Sequence, residues 1–86
     1  MPEICRFFGI VIKMYYADHP PPHFHAKYGD EEAMVDIRSL AVVGGRLSPR
    51  ALGLVVEWAT QHQEELLRLW QMASIGQPIH PLEPLR

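Results

Sequence analysis

Three consecutive prolines, Pro20–Pro22, divide the first half of this sequence into stretches that cannot belong to one strand. Each proline fixes φ at about −65° and removes a backbone N–H, so no central strand runs through them. The chain must bend between Asp18 and Pro22. Upstream, Arg6 to Tyr16 is mostly β-branched or aromatic and reads as a strand. Its period-two pattern assigns Phe8, Ile10, Ile12, Met14 and Tyr16 to the core, and Phe7, Gly9, Val11, Lys13 and Tyr15 to the opposite face.

Downstream, the next strand begins at His23. Phe24, Ala26 and Tyr28 share one face; His23, His25 and Lys27 share the other. Gly29-Asp30 then suits a two-residue type II′ hairpin, followed by a strand from Glu31 to Arg38. That turn dictates a register: Tyr28 faces Glu31, Lys27 Glu32, Ala26 Ala33, His25 Met34, Phe24 Val35 and His23 Asp36. The register is self-consistent. Ala26–Ala33 and Phe24–Val35 share the inner face, while Lys27–Glu32 and His23–Asp36 are complementary pairs on the outer face. Leu40 to Leu47 adds a short edge strand with a turn at Gly44-Gly45.

The second half is helical. Ser48 is a good N-cap residue, Pro49 fits the first helical position, and Gly76 with Pro78 marks the end. Leu52, Val55, Ala59, His62, Leu66, Leu69 and Ala73 recur three and four apart and form an apolar stripe widened by Val56, Trp58, Leu67 and Trp70. A single helix of about 26 residues would be roughly 40 Å long. A chain of this size has a radius of gyration of about 12 Å, so such a helix overhangs its own sheet or covers a partner. In the tail, Pro78, Pro81 and Pro84 and also Ile79, Leu82 and Leu85 fall three apart, a polyproline-II pattern with one apolar edge. It can dock on this chain or on a neighbour.

The expected fold class is therefore α+β: a three- or four-stranded antiparallel sheet with one long C-terminal helix packed on one face. Residues 1–86 read as one domain, with a sheet half over 1–47, the helix over 48–76 and the extended tail over 77–86. Eighty-six residues bury only a small core. The formal charge is −2, and the eight basic residues are scattered rather than gathered into the patch a generic nucleic-acid binder displays. "RFFGIVI" has some likeness to an RNA-recognition strand, but aromatic strand residues ordinarily pack. Cys5 is the only cysteine, which excludes a disulfide framework and a cysteine zinc cluster. No apolar run has the length of a membrane span, and no signal-peptide pattern is present, so a cytoplasmic protein is expected.

The chemistry concentrates in "DHPPPHFHA", residues 18–26. His23 and His25, at i,i+2 on a strand, project from one face at a spacing metal sites use. His19 is the third candidate ligand, but an extended proline run places it about 12 Å from His23, at roughly 3.1 Å per residue. The candidate cofactor is a divalent transition metal: zinc, nickel, manganese or iron. Alternatively, His23 with Asp36 forms an acid–base pair flanked by Lys27 and Tyr15, enough for a small ribonuclease that draws its nucleophile from the RNA 2′-hydroxyl. The same histidines also suit an ordinary solvent-facing sheet surface. His62 reads as a hydrogen-bonded histidine beneath the sheet. Trp58, Trp70, Leu67, Leu82 and Leu85 are the candidate partner-binding residues on helix and tail.

"PEICRFFGIVIKMYYADHPPPHFHAKYG", "RALGLVVEWATQHQEEL" and "IHPLEPL" together resemble the bacterial domain-of-unknown-function 4160 family over nearly the whole chain, most specifically in "MYYADHPPPHFHA". The resemblance implies a short cytoplasmic α+β protein with no established activity or catalytic residues. It further implies a protein partner encoded nearby, in an arrangement like a toxin–antitoxin pair; a second copy of the chain is the other candidate partner. The expected function is thus a partner-binding subunit of a two-protein module. The alternative is a His-dependent ribonuclease or a metal-dependent hydrolase on the open sheet face around His23, His25 and Asp36.

Overall fold

The computed structural model describes residues 3–86; Met1 and Pro2, at the start of the expected sheet half, lie outside the described residues. In chain order the elements are β1 (Glu3–Phe7), β2 (Ile10–Lys13), β3 (His23–Tyr28), β4 (Glu31–Asp36), β5 (Val42–Gly45), α1 (Pro49–Thr60) and α2 (Gln63–Ser74). The strands make one antiparallel sheet in sequential order. The architecture is α+β, with five strands and two helices.

The β3–β4 hairpin has the register that the alternation and Gly29 dictate, from His23↔Asp36 to Tyr28↔Glu31. Gly29 has φ +59°, as the first position of a type II′ loop requires. The first strand is different from its expected form. What the composition presents as one strand from Arg6 to Tyr16 is a hairpin, β1–β2, in which Phe7 pairs with Ile10 around a two-residue loop. Both loop residues have positive φ, 49° at Phe8 and 81° at Gly9, the signature of a type I′ turn. Ile10, Ile12 and Met14 are buried as expected, but Phe8 and Tyr16 are exposed and Phe7 is buried in Phe8's place. A register shift between Glu3 and Cys5 lets the neighbouring Ile4 and Cys5 both bury.

The single long helix is also corrected. Gln61 and His62 break it into two helices of 12 residues each. The molecule measures 33 × 25 × 22 Å, shorter in every direction than the roughly 40 Å an unbroken helix would need. The break lets the buried residues of both helices, Val55, Trp58 and Ala59 on α1 and Leu66, Leu69 and Ala73 on α2, join one core with the sheet, so the overhang disappears. At the start, Ser48 occupies the N-cap position without a side-chain cap bond; its N–H donates to Glu31 Oε1 at 2.8 Å. At the end, Gly76 (φ +77°) and Gln77 donate to the carbonyls of Ala73 and Met72, a Schellman motif. Among the described residues, no helix is long and apolar enough to cross a membrane.

Trp58 sits at the centre of the core, fully buried, 5.5 Å from the ring of Phe7 and 5.9 Å from that of Phe24. Its Nε1–H donates to the Glu83 carbonyl at 2.8 Å. The tail therefore docks on its own chain: Leu82 and Leu85 are buried, and the Leu82 N–H donates to the Ile4 carbonyl on β1. At the other margin of the sheet, β5 presents half-exposed Val42 and Val43 and pairs only with β4.

Two measurements check this packing. Leu82→Ala should lower stability by about 2–4 kcal/mol, the range for a buried leucine truncation; an effect under about 0.5 kcal/mol would show that the tail is not docked. Phe8→Asn should raise stability by about 1 kcal/mol, because asparagine suits the left-handed turn position better than phenylalanine. Chemical denaturation reads both.

Candidate metal centre

The proline-bounded bend carries Asp18 back over the start of β3. Its Oδ2 lies 3.1 Å from His23 Nε2 and 3.3 Å from His25 Nε2. These three donor atoms all fall within 4.8 Å of one another. Strand alternation explains the histidines, which share the face opposite Phe24 and Ala26. The carboxylate comes from the loop, where its Oδ1 accepts the His19 N–H at 2.8 Å.

Each histidine is held from behind. His23 Nδ1 lies 2.8 Å from the Pro21 carbonyl, an acceptor only, so Nδ1 carries the proton and donates. Its Nε2 is then a lone pair in the neutral ring. That atom is buried and makes no hydrogen bond, although the Asp18 oxygen is close enough for an ion pair. His25 Nδ1 lies 3.3 Å from Glu32 Oε2, which directs its Nε2 toward Asp18. Both rings are further fixed by aromatic neighbours: Tyr15 meets His25 edge-on at 4.6 Å, and Trp70 lies 5.2 Å from His23. The Asp18 side chain is 22% exposed and that of His25 14%, so the cluster opens to solvent on their side.

His25 Nε2 is within hydrogen-bond distance of Asp18 Oδ2, whereas the buried His23 Nε2 faces the same oxygen without a hydrogen bond, an arrangement that a shared cation would satisfy. Ligand–ligand separations of 3.1 and 3.3 Å match the edges of a tetrahedron or octahedron with bonds of about 2.1 Å. Burial alone would push the Asp18 carboxyl up. The hydrogen bonds from the His19 N–H and with the His25 ring, together with the electrostatic influence of the two imidazoles, outweigh it and hold the group below its ordinary value.

The remaining sequence candidates fall elsewhere. His19 is exposed and outside the triad. Asp36 is the ladder partner of His23, but its Oδ1 accepts the N–H groups of Arg38 and Ser39, at 2.8 and 2.9 Å. The carboxylate at His23 is that of Asp18. His62 occupies the N-cap position of α2 without a side-chain cap bond; its Nδ1 lies 2.6 Å from Glu65 Oε1 and its ring 5.1 Å from that of Trp58. Trp58, Leu82 and Leu85 belong to the chain's own core, whereas Leu67 and Trp70 are partly buried against it. Sequence reasoning missed Asp18 and Glu32. Asp18 heads the very segment that carries the histidines, and Glu32 lies one diagonal step from His25 in the dictated register.

Asp36 therefore has a structural task, which stability measurements can isolate. The Ser39 N–H, ahead of that of Arg38, holds its carboxyl below the ordinary range despite partial desolvation. A depressed folded-state pKa stabilises at pH above the unfolded value, about 4. Asp36→Ala should thus cost about 1 kcal/mol near neutral pH. The gap from the native protein should close as pH falls below about 4; a pH-independent gap would mean that the charge contributes nothing.

No curated protein and no solved structure matches the chain. A family model, Domain of unknown function (DUF4160), matches residues 9–71, a span that takes in Asp18, His23, His25 and Glu32. The chain belongs to the DUF4160 family.

Proposed function

We propose that this protein binds one divalent transition-metal ion and uses it to activate water, acting as a metal-dependent hydrolase. His23 Nε2, His25 Nε2 and Asp18 Oδ2 are its ligands. The observation that carries the reading is the buried His23 Nε2, which lacks a hydrogen bond yet faces a carboxylate oxygen 3.1 Å away. An isolated buried imidazole nitrogen is costly, whereas one that ligates a metal is satisfied. Two histidines and one carboxylate leave coordination positions for water, as catalytic sites do and closed structural sites do not. The Pro21 carbonyl and Glu32 carboxylate behind the rings are the supports that ligating histidines ordinarily have.

A second reading, a partner-binding subunit of a two-protein module, draws support from the apolar surface the fold leaves outside. Phe8 and Tyr28, exposed at 60% and 41%, line a depression with Leu54 and Arg50. The candidate contacts shift accordingly from Trp58, Leu82 and Leu85 to this patch.

Native mass spectrometry and elemental analysis of untagged protein test the metal reading. About one zinc, manganese, iron or nickel ion per chain is expected, with a melting temperature that rises with added metal. Glu32→Gln should weaken binding about 10–100-fold by releasing the His25 ring. His25→Ala and Asp18→Ala should weaken it further, with circular dichroism unchanged. Saturation with each metal and no bound ion would overturn the reading.

A further inference from the structure

The outer face of the sheet places cations beside the triad. Lys13 is the direct ladder partner of His25 across β2–β3, and Lys27 lies two residues from His25 on β3. All three side chains therefore share one face, with cross-strand neighbours about 5 Å apart at Cβ. Lys27 has Glu32 opposite it in the ladder, and an ion pair there would be the ordinary outcome. Instead Glu32 Oε2 lies 3.3 Å from His25 Nδ1. Among the described residues, neither Lys13 nor Lys27 makes a salt bridge. Glu3, the ladder partner of Lys13, is paired with Arg6 at 2.9 Å.

The charges near the centre then sort simply. A divalent ion is offset by Asp18 and Glu32, which leaves the two ammonium groups as the net charge of the open face. Such a face selects an anion that can put one oxygen on the metal and others on the lysines. Neutral peptides and sugars have no charge to offer it. Beside the triad, His25, Glu32, Met34 and Gly44 line a shallow depression, and a Cβ at Gly44 would collide with the Met34 methyl group.

We propose that the substrate is a phosphate ester, held between the metal and the ammonium groups of Lys13 and Lys27. The inference rests on the metal centre proposed above. Water oxygen forms a bond to phosphorus, the ester P–O bond breaks, and its electron pair leaves with the departing oxygen. A proton from the water ends on that oxygen, giving an alcohol and a phosphate with no change of oxidation state.

The test uses the full chain loaded with zinc or manganese. Orthophosphate is titrated calorimetrically, and hydrolysis of p-nitrophenyl phosphate and bis(p-nitrophenyl) phosphate is followed by p-nitrophenolate release. Orthophosphate binding and turnover of at least one ester are expected; the two esters separate a monoester substrate from a nucleic-acid-like diester. Lys13→Gln and Lys27→Gln should each raise KM about tenfold at unchanged metal content, and Lys13→Arg should restore most of the loss. Bound metal with neither phosphate binding nor turnover would overturn the substrate class and leave the metal centre standing. Turnover with KM unmoved in both lysine variants would overturn the cationic platform. Absence of bound metal would remove both proposals together.

Discussion

One buried indole sets the spacing of every layer in this molecule. Trp58 lies on α1, meets Phe7 of β1 and Phe24 of β3, and satisfies its only polar atom on the carbonyl of Glu83 in the tail. A large ring with one donor is costly to bury unless that donor is paired, so the tail must pass where the indole N–H points. Sheet, helix and tail are thereby tied at one place. α1 packs against the inner face, and Trp70 of α2 reaches the His23 ring at the start of β3, while Lys13, Lys27 and Glu32 share the outer face with His25.

Legibility in the sequence follows the kind of physics involved. The β3–β4 hairpin is readable because two independent constraints agree: period-two alternation and a glycine at the position that requires positive φ. The β1–β2 hairpin is hidden because its turn places Phe8 where asparagine, aspartate or glycine would normally announce it. The break at Gln61–His62 is equally silent, since neither glycine nor proline marks it and the apolar period continues across. Only the limited breadth of the sheet forbids a straight helix, and breadth is a property of the folded body.

The site divides along the same line. The histidines are legible as a strand pair at i,i+2. Their carboxylate is not, because ladder logic reaches only residues across the strand, and Asp18 arrives from a loop. Asp36 is the correct ladder neighbour of His23, but the two free N–H groups after β4 claim its carboxylate. A side chain flanked by unpaired backbone donors serves those before it serves a neighbour. Glu32 shows the reverse: a residue expected to neutralise Lys27 turns along the diagonal to His25.

The two margins of the sheet are unequal. The tail lies against β1, where the Leu82 N–H takes up the Ile4 carbonyl, whereas β5 keeps its outer backbone groups unpaired among the described residues. A strand edge is a template for another strand, and a sheet with two bare edges can extend without limit. With only one bare edge, a molecule that joins a twin through β5 leaves both outer margins covered by tails. Pairing through β5 alone would then stop at two copies, because the tail occupies the other margin.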